Sequence, residues 1–484
     1  MGATVAVVNK KNGNAVATVV TMLKAISRPG NEAYAVGTSN ATEIAQDFTE
    51  LKKVSTQSAA AIGYIFNRIL QSDKPQPIKS QSSVIFDGRI YSLQKKQESD
   101  ASVFSSQMRG NVEKAAESFV RHRNGDFVFV VAQKARIIAG RDPLGVRSFY
   151  YGENTEIAAV SSERRALWRI GVREVESFPP GQVAVVGKTG FRFTEIRSLN
   201  EVKTASLDTK KAVHELAGLL RLSVRRRISG LKRVAVAFSG GLDSSIIALL
   251  AKRENANVHL IHVSLENRDE TKHAMEMAEL LALPIHAYCY DEDDVDQVLN
   301  EIPDIVEKAD PLNISVGIPV YWTAKRAAKL KLNVMFAGQG ADELFGGYKR
   351  YQDFYLQYGK VEAEEEIRRD ILAMHEINFE RDSKICNSQN VELRLPFADY
   401  DVARFAFSLP LELKLERRSE SLRKVVLRKT AESIGLPRLV VSRPKKAIQY
   451  ATGINGVLLR KAKREKLSLR DYLNKLFSHS PGRG

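Results

Sequence analysis

Apolar residues along the first part of the chain come in short runs of strand length. They are "TVAVV" (4–8), "SSVIFDGRIY" (82–91), "DFVFVVAQ" (126–133), "ARIIAG" (135–140), "FYYG" (149–152) and "GQVAVVG" (181–187). Helical spacing of apolar positions between them predicts helices at Val16 to Ile26, Thr56 to Leu70 and Val112 to Val120. Strands and helices in that mixture describe an α+β layered domain. A polar segment, "RSLNEVKTASLDTK", follows and leads into a helix from about Lys211 to Arg227, which puts a boundary near Leu199. The expected domains are 1–198 and 210–484.

Beyond the boundary strands and helices alternate. "RVAVAF" enters the helix "SSIIALLAKR", and "VHLIHVSL" enters "ETKHAMEMAELLA". "LPIHAYCY" and "NVMFAG" (333–338) are further strands. That order predicts an α/β unit with a parallel doubly wound sheet, in which ligands sit at the C-terminal ends of the strands. From Asp342 onward the pattern is mostly helical, closing in a basic tail, "SHSPGRG".

Composition narrows the function classes. With 44% hydrophobic residues in 484, the chain can build two or three cores. The formal charge of +16 suits an anionic substrate or a nucleic acid. Nucleic acid is the less favoured partner, because "VRRRISGLKR" and "RKAKREK" lack interleaved aromatic residues. Cys289 and Cys386, the two cysteines, have no metal-ligand spacing, so a thiolate zinc site is not expected. No apolar run approaches the roughly 20 residues that span a bilayer, so no membrane partner is expected and the cytoplasm is the expected location.

The chemistry begins at "VAVAFSGGLDSSIIAL", Val234 to Leu249. An apolar strand runs into a turn of small and hydroxyl residues and then into an apolar helix. Free N–H groups at a helix start bind anions, and small residues let a phosphate approach them. A Walker A loop would carry a Lys in the turn. Ser239, Gly240, Gly241, Asp243, Ser244 and Ser245 supply hydroxyls, amides and a carboxylate instead. A carboxylate beside phosphate calls for a cation between them, so Asp243 points to Mg²⁺. A capped glycine-rich turn would need one such residue rather than this series.

"SGGLDSS" after an apolar strand resembles the pyrophosphate-binding loop of the ATP pyrophosphatase, or adenine nucleotide alpha hydrolase-like, superfamily. Its members cleave ATP between the α and β phosphates and adenylate a substrate oxygen. "FAGQGADELFGGYKRY" (336–351) resembles the second signature of the asparagine synthetase family. There the residue matching Asp342 shares Mg²⁺ with the one matching Asp243, and Gly338 falls in the segment lining the ATP and aspartate pockets. "VELRLPFAD" (391–399) resembles the segment closing the site, with Glu392 and Arg394 its polar members. "SRPKKAIQY" resembles the late basic signature, in which Lys445 would contact phosphate or the acyl-adenylate. Val263 and Ser264 match the strand end where the family packs adenine. Gln339 stands where many members have Glu, and a neutral amide cannot act as a base.

The first domain resembles, in "GDFVFVVAQKARIIAGRDPLGVRSFYYG", "AAVSSERRAL" and "FPPGQVAVV", the later half of the family's N-terminal-nucleophile glutaminase domain. That domain works through an N-terminal Cys. Gly2 stands in its place here, and recognisable "HRGPD" and "GHRRLS" stretches are absent. The resemblance therefore implies a domain without glutaminase activity, kept for packing, for lining a passage or for binding something else. It implies ATP and Mg²⁺ as cofactors, an amino acid and ammonia as partners, and admits a homodimer. Aspartate to asparagine, with AMP and pyrophosphate released, is the reaction expected first. Amidation or lactam closure of another carboxylate, including a tRNA- or protein-linked one, and a catalytically silent binding protein remain as alternatives.

Overall fold

The computed structural model describes residues 2–51, 56–79, 81–93, 98–416, 422–444 and 447–477. The chain divides into two compact units, one ending at Ser198 and the other beginning at Leu199.

In the first unit, period-two alternation sends neighbouring residues of one strand into different cores. Along Ala3–Asn9, Val5 and Val7 pack with Val16, Val19 and Leu23 of the helix Ala15–Ile26. Ala6 and Val8 face the other way, onto Ile85, Val128 and Val130. Those residues belong to a second antiparallel sheet, whose outer face is covered by the helices Asp100–Gln107 and Val112–His122. Two facing sheets between helical layers make an α+β layered domain, as the mixture of strands and helices predicts.

The segment 56–70 is a correction. Helical spacing predicts a helix there, but Ala60–Phe66 is a strand paired antiparallel to both Ala3–Asn9 and Ala33–Gly37. All seven residues of "AAIGYIF" are buried, so the run has no polar face to reveal its period, and an unbroken apolar run fits a buried strand as well as a helix. Gly63 fits this strand because a Cβ there would lie 2.5 Å from a Val19 methyl. The strands Ala33–Gly37 and Thr42–Ala45 are also absent from the sequence reading.

The second unit is built on a parallel five-stranded sheet. Its strands are β1 (Arg233–Ala237), β2 (Asn257–Leu265), β3 (Ile285–Tyr290), β4 (Val334–Phe336) and β5 (Glu392–Arg394), in the order β3-β2-β1-β4-β5. β1 leads into helix α1 (Leu242–Arg253), while α2 (Pro311–Lys329) packs on β2 and β4. β4 leads into the short α3 (Ala341–Phe345). α4 (Glu380–Ser388) precedes β5, and α5 (Val425–Ser433) lies against α1. The order reverses between β1 and β4, and in a doubly wound sheet the ligand crevice lies at such a reversal. Among the described residues no helix is long and apolar enough to cross a membrane.

Candidate active site

Two strand ends meet at the reversal. β1 ends two residues before Ser239 and β4 two residues before Gly338. A Cβ at Gly338 would lie 2.8 Å from the Cβ of Asp243, so glycine is what lets the two ends approach. Gly240 has φ +69°, the left-handed region that favours glycine, and a Cβ there would lie 3.0 Å from the His273 ring and 3.1 Å from the Ala274 Cα. Gly241 is the N-cap of α1 and supplies no side-chain acceptor, so the first N–H groups of α1 carry no side-chain cap. Ser239 and Ser244 hold the turn together, their hydroxyls 3.3 Å apart, with the Ser244 hydroxyl donating to the Gly241 carbonyl at 3.3 Å.

Asp243 and Asp342 converge on one cation, and in this structure that cation is the ammonium of Lys424. Its Nζ lies 2.7 Å from both oxygens of Asp243 and 2.7 Å from Oδ1 of Asp342. Lys424 is the N-cap of α5, with φ +62° and a side chain 2% exposed. Two carboxylates at neighbouring strand ends, next to a phosphate-sized turn, also fit Mg²⁺. That ion takes one or two protein carboxylates and completes its shell from phosphates and water. No larger group of three or more ligating side chains occurs among the described residues.

A cavity of about 660 Å³ opens over these strand ends. Ser239, Gly241, Asp243 and Ser244 line it, as do Val263, Ser264, Gly338, Gln339, Asp342 and Lys424. Gly240 and Ser245 do not: Gly240 shapes the turn from outside and the Ser245 side chain is fully buried. His262 sits at the cavity wall with Nδ1 3.0 Å from the Phe238 carbonyl, and burial pushes its pKa down, favouring the neutral ring. Lys445 lies outside the described residues. Its flanks Arg443, Pro444 and Ala447 line the cavity, and Arg428 of α5 holds this segment by donating to the carbonyls of Val441 and Arg443.

Glu392 is not brought to the cavity. It is fully buried in β5 and accepts from Arg394 Nε at 2.6 Å, while Arg394 also donates to the Arg227 carbonyl. An acid and a base two residues apart on a strand share one face, so the pair satisfies itself. The polar end of the cavity is made by residues the sequence reading passed over. The helical backbone widens to a π turn over His375–Phe379, and Asn378 within it and Arg381 and Asp382 just after it line the cavity. Asp382 accepts from Gln339 Nε2 and, at 2.7 Å, from Arg381 Nε. "ERDSK" looks like a solvated helix face, and nothing in its spacing marks it as buried.

The family model for asparagine synthase matches residues 215–361 and 355–480, more than half of the chain and all of this site. The chain belongs to the asparagine synthase family. Members of the family are ATP-dependent, AMP-forming carbon–nitrogen ligases. The family model described as glutamine amidotransferase domain matches residues 65–169 of the first unit. A putative asparagine synthetase [glutamine-hydrolyzing] 1 of Methanocaldococcus jannaschii is 29% identical over 412 residues, covering 74% of this chain and 75% of that protein. The asparagine synthetase [glutamine-hydrolyzing] of Triphysaria versicolor and the root enzyme of Pisum sativum are each 28% identical over 361 residues. Those matches cover 71% of this chain and 60% of each of these two relatives.

Proposed function

We propose that this chain adenylates the side-chain carboxylate of aspartate with ATP and transfers ammonia to the adenylate, giving asparagine, AMP and pyrophosphate. The observation that carries the reading is the convergence of Asp243 and Asp342 beside the uncapped start of α1, at the reversal of a parallel sheet. The α1 amides and the Ser239 and Ser244 hydroxyls hold pyrophosphate as it departs. Asp243 and Asp342 would hold Mg²⁺, which neutralises phosphate charge when bound. Lys424 supplies a fixed positive charge beside the same carboxylates, and Lys445 is the second basic residue assigned to the phosphates. Fixed charges placed where negative charge grows stabilise the transition state more than the ground state. Val263 and Ser264 take adenine at the end of β2.

The same proposal assigns no glutaminase activity to the first unit. Gly2 has no nucleophile, and the Tyr64 ring fills the space a side chain would need: a Cβ on Gly2 would lie 2.0 Å from Cζ of Tyr64. Tyr64 donates to Asp87 Oδ1 at 3.3 Å, and the Gly2 amide nitrogen donates to the same oxygen at 3.3 Å. Free ammonia is then the nitrogen donor.

A second reading, adenylation of a larger acid, is favoured by one observation. Leu312, Val316 and Val320 of α2, with Ile377 and Ile448, give the cavity aliphatic walls that aspartate does not need. Acid-dependent exchange of labelled pyrophosphate into ATP separates the two. Exchange with aspartate supports the first reading, and exchange with bulkier amino acids or diamino acids but not aspartate replaces it with the second.

A further inference from the structure

We propose that Asp382 is the base that takes the proton from the attacking nitrogen, held in place by Gln339 and Arg381. The inference rests on the amide-forming reading above and extends it to the second half-reaction. Gln339 follows Gly338 at the end of β4, the point where the backbone packs against Asp243. Its side chain therefore starts beside the place where the acyl-adenylate forms. A neutral amide cannot remove a proton, but Gln339 donates to Asp382 Oδ2, and a carboxylate can.

Arg381 fixes the other oxygen, with Nε 2.7 Å from Asp382 Oδ1, and is itself tied to the π turn through the Ile377 carbonyl and Asn378 Oδ1. Asp382 lines the cavity yet is 2% exposed, so bulk water does not compete for the proton. The cavity's other carboxylates have different partners. Lys424 bridges Asp243 and Asp342, Arg350 and Tyr351 donate to Asp370, Tyr348 and Asn378 donate to Glu343, and Arg443 donates to Glu270 at 2.9 Å. Asp382 is the one joined to the residue at the β4 end.

The step balances without a further reactant. The ammonia lone pair forms the C–N bond as the carbonyl π pair moves onto oxygen. The nitrogen then bears three hydrogens and a positive charge, and one proton passes to an Asp382 oxygen. The oxyanion pair re-forms the C=O bond while the C–O bond to AMP breaks, AMP leaving with the bonding pair. The amide keeps two hydrogens, and Asp382 returns its proton to water once the products leave.

The test uses the whole chain with aspartate, ATP and Mg²⁺, comparing ammonium with hydroxylamine as the nitrogen source. In Asp382→Asn, amide formation from ammonia should fall by about a hundredfold or more, the range of general-base removal, while aspartate-dependent exchange falls less than about fivefold. Hydroxylamine is a weaker base whose adduct loses its proton more readily, so hydroxamate formation should fall about tenfold or less. Asp382→Glu should restore part of the ammonia reaction. Equal losses in exchange and amide formation, or equal losses with the two nitrogen sources, would overturn the assignment and leave Asp382 a structural residue. Wild-type protein with no aspartate-dependent exchange would overturn the proposed function itself, before any variant is made.

Discussion

Lys424 places its ammonium 2.7 Å from both carboxylate oxygens of Asp243, a residue 181 positions earlier in the chain. The contact joins the cap of α5 to the first turn of α1 and brings a positive charge into a loop that has none of its own. Under the proposed function, a divalent ion on Asp243 and Asp342 would compete with Lys424 for the same two carboxylates.

Asp243→Asn should lower aspartate-dependent ATP:pyrophosphate exchange about a hundredfold, on the order of 3 kcal/mol of transition-state stabilisation, with the circular dichroism spectrum unchanged. Comparable exchange by the variant at the same Mg²⁺ concentration would remove Asp243 from the site.

Removing the ammonium tests the shared position. Lys424→Met removes the ammonium that bridges Asp243 and Asp342, so the variant should unfold at a lower temperature than wild type in EDTA and be raised more by added Mg²⁺. Identical Mg²⁺ responses in thermal melts of the two proteins would contradict a common site.

Neither the wild-type chain nor Gly2→Cys should release glutamate from glutamine. The new side chain would meet the Tyr64 ring at 2.0 Å, and burial together with Asp87 pushes the Tyr64 phenol pKa up, so the ring stays neutral. Time-dependent glutamate production by Gly2→Cys alone would show that Tyr64 can vacate the position.

Glu392→Gln should first show as lost stability. It would take the Glu392 charge away from the buried Arg394 guanidinium, and breaking a buried ion pair costs about 3 kcal/mol or more, read as a lower denaturation midpoint in urea. An unchanged midpoint would mean that Arg394 finds compensation elsewhere.

The pH dependence should carry the mark of Lys414. Its pKa is lowered from 10.5 to about 7, chiefly by burial, with Arg368 adding to the effect and Glu364 opposing it. Between about 7 and 10.5 the unfolded chain holds a proton that the native amine has shed, so this residue makes stability rise with pH across that window. Lys414→Met should therefore stabilise the second unit most below pH 7, on the order of a few kcal/mol, with the gain shrinking toward pH 10. Urea midpoints at pH 6 and pH 9 measure it, and an equal gain at both would refute the shifted amine.

Short-range spacing along the chain fixes the local elements. "VAVAFSGGLDSS" has to be a buried strand, a tight turn and a helix start, because its apolar run, its glycines and its hydroxyl residues each constrain the backbone within a few positions. The same holds for "FAGQGADELFGG". Strands that follow such local rules were legible. Ala60–Phe66 was not, because a run buried on both faces shows no period.

Which distant residues share the site depends on how the elements pack. Lys424 and Asp382 look like ordinary charges in basic or mixed segments, and Glu392 looks like a functional acid. Packing reverses those readings. α5 carries Lys424 onto Asp243, the π turn presents Asp382 to Gln339, and β5 folds Glu392 against Arg394 inside the sheet layer. Local preference is set by a residue's neighbours in sequence. The partner of a charge is set by where its helix or strand comes to rest, and that depends on burial summed over the whole unit.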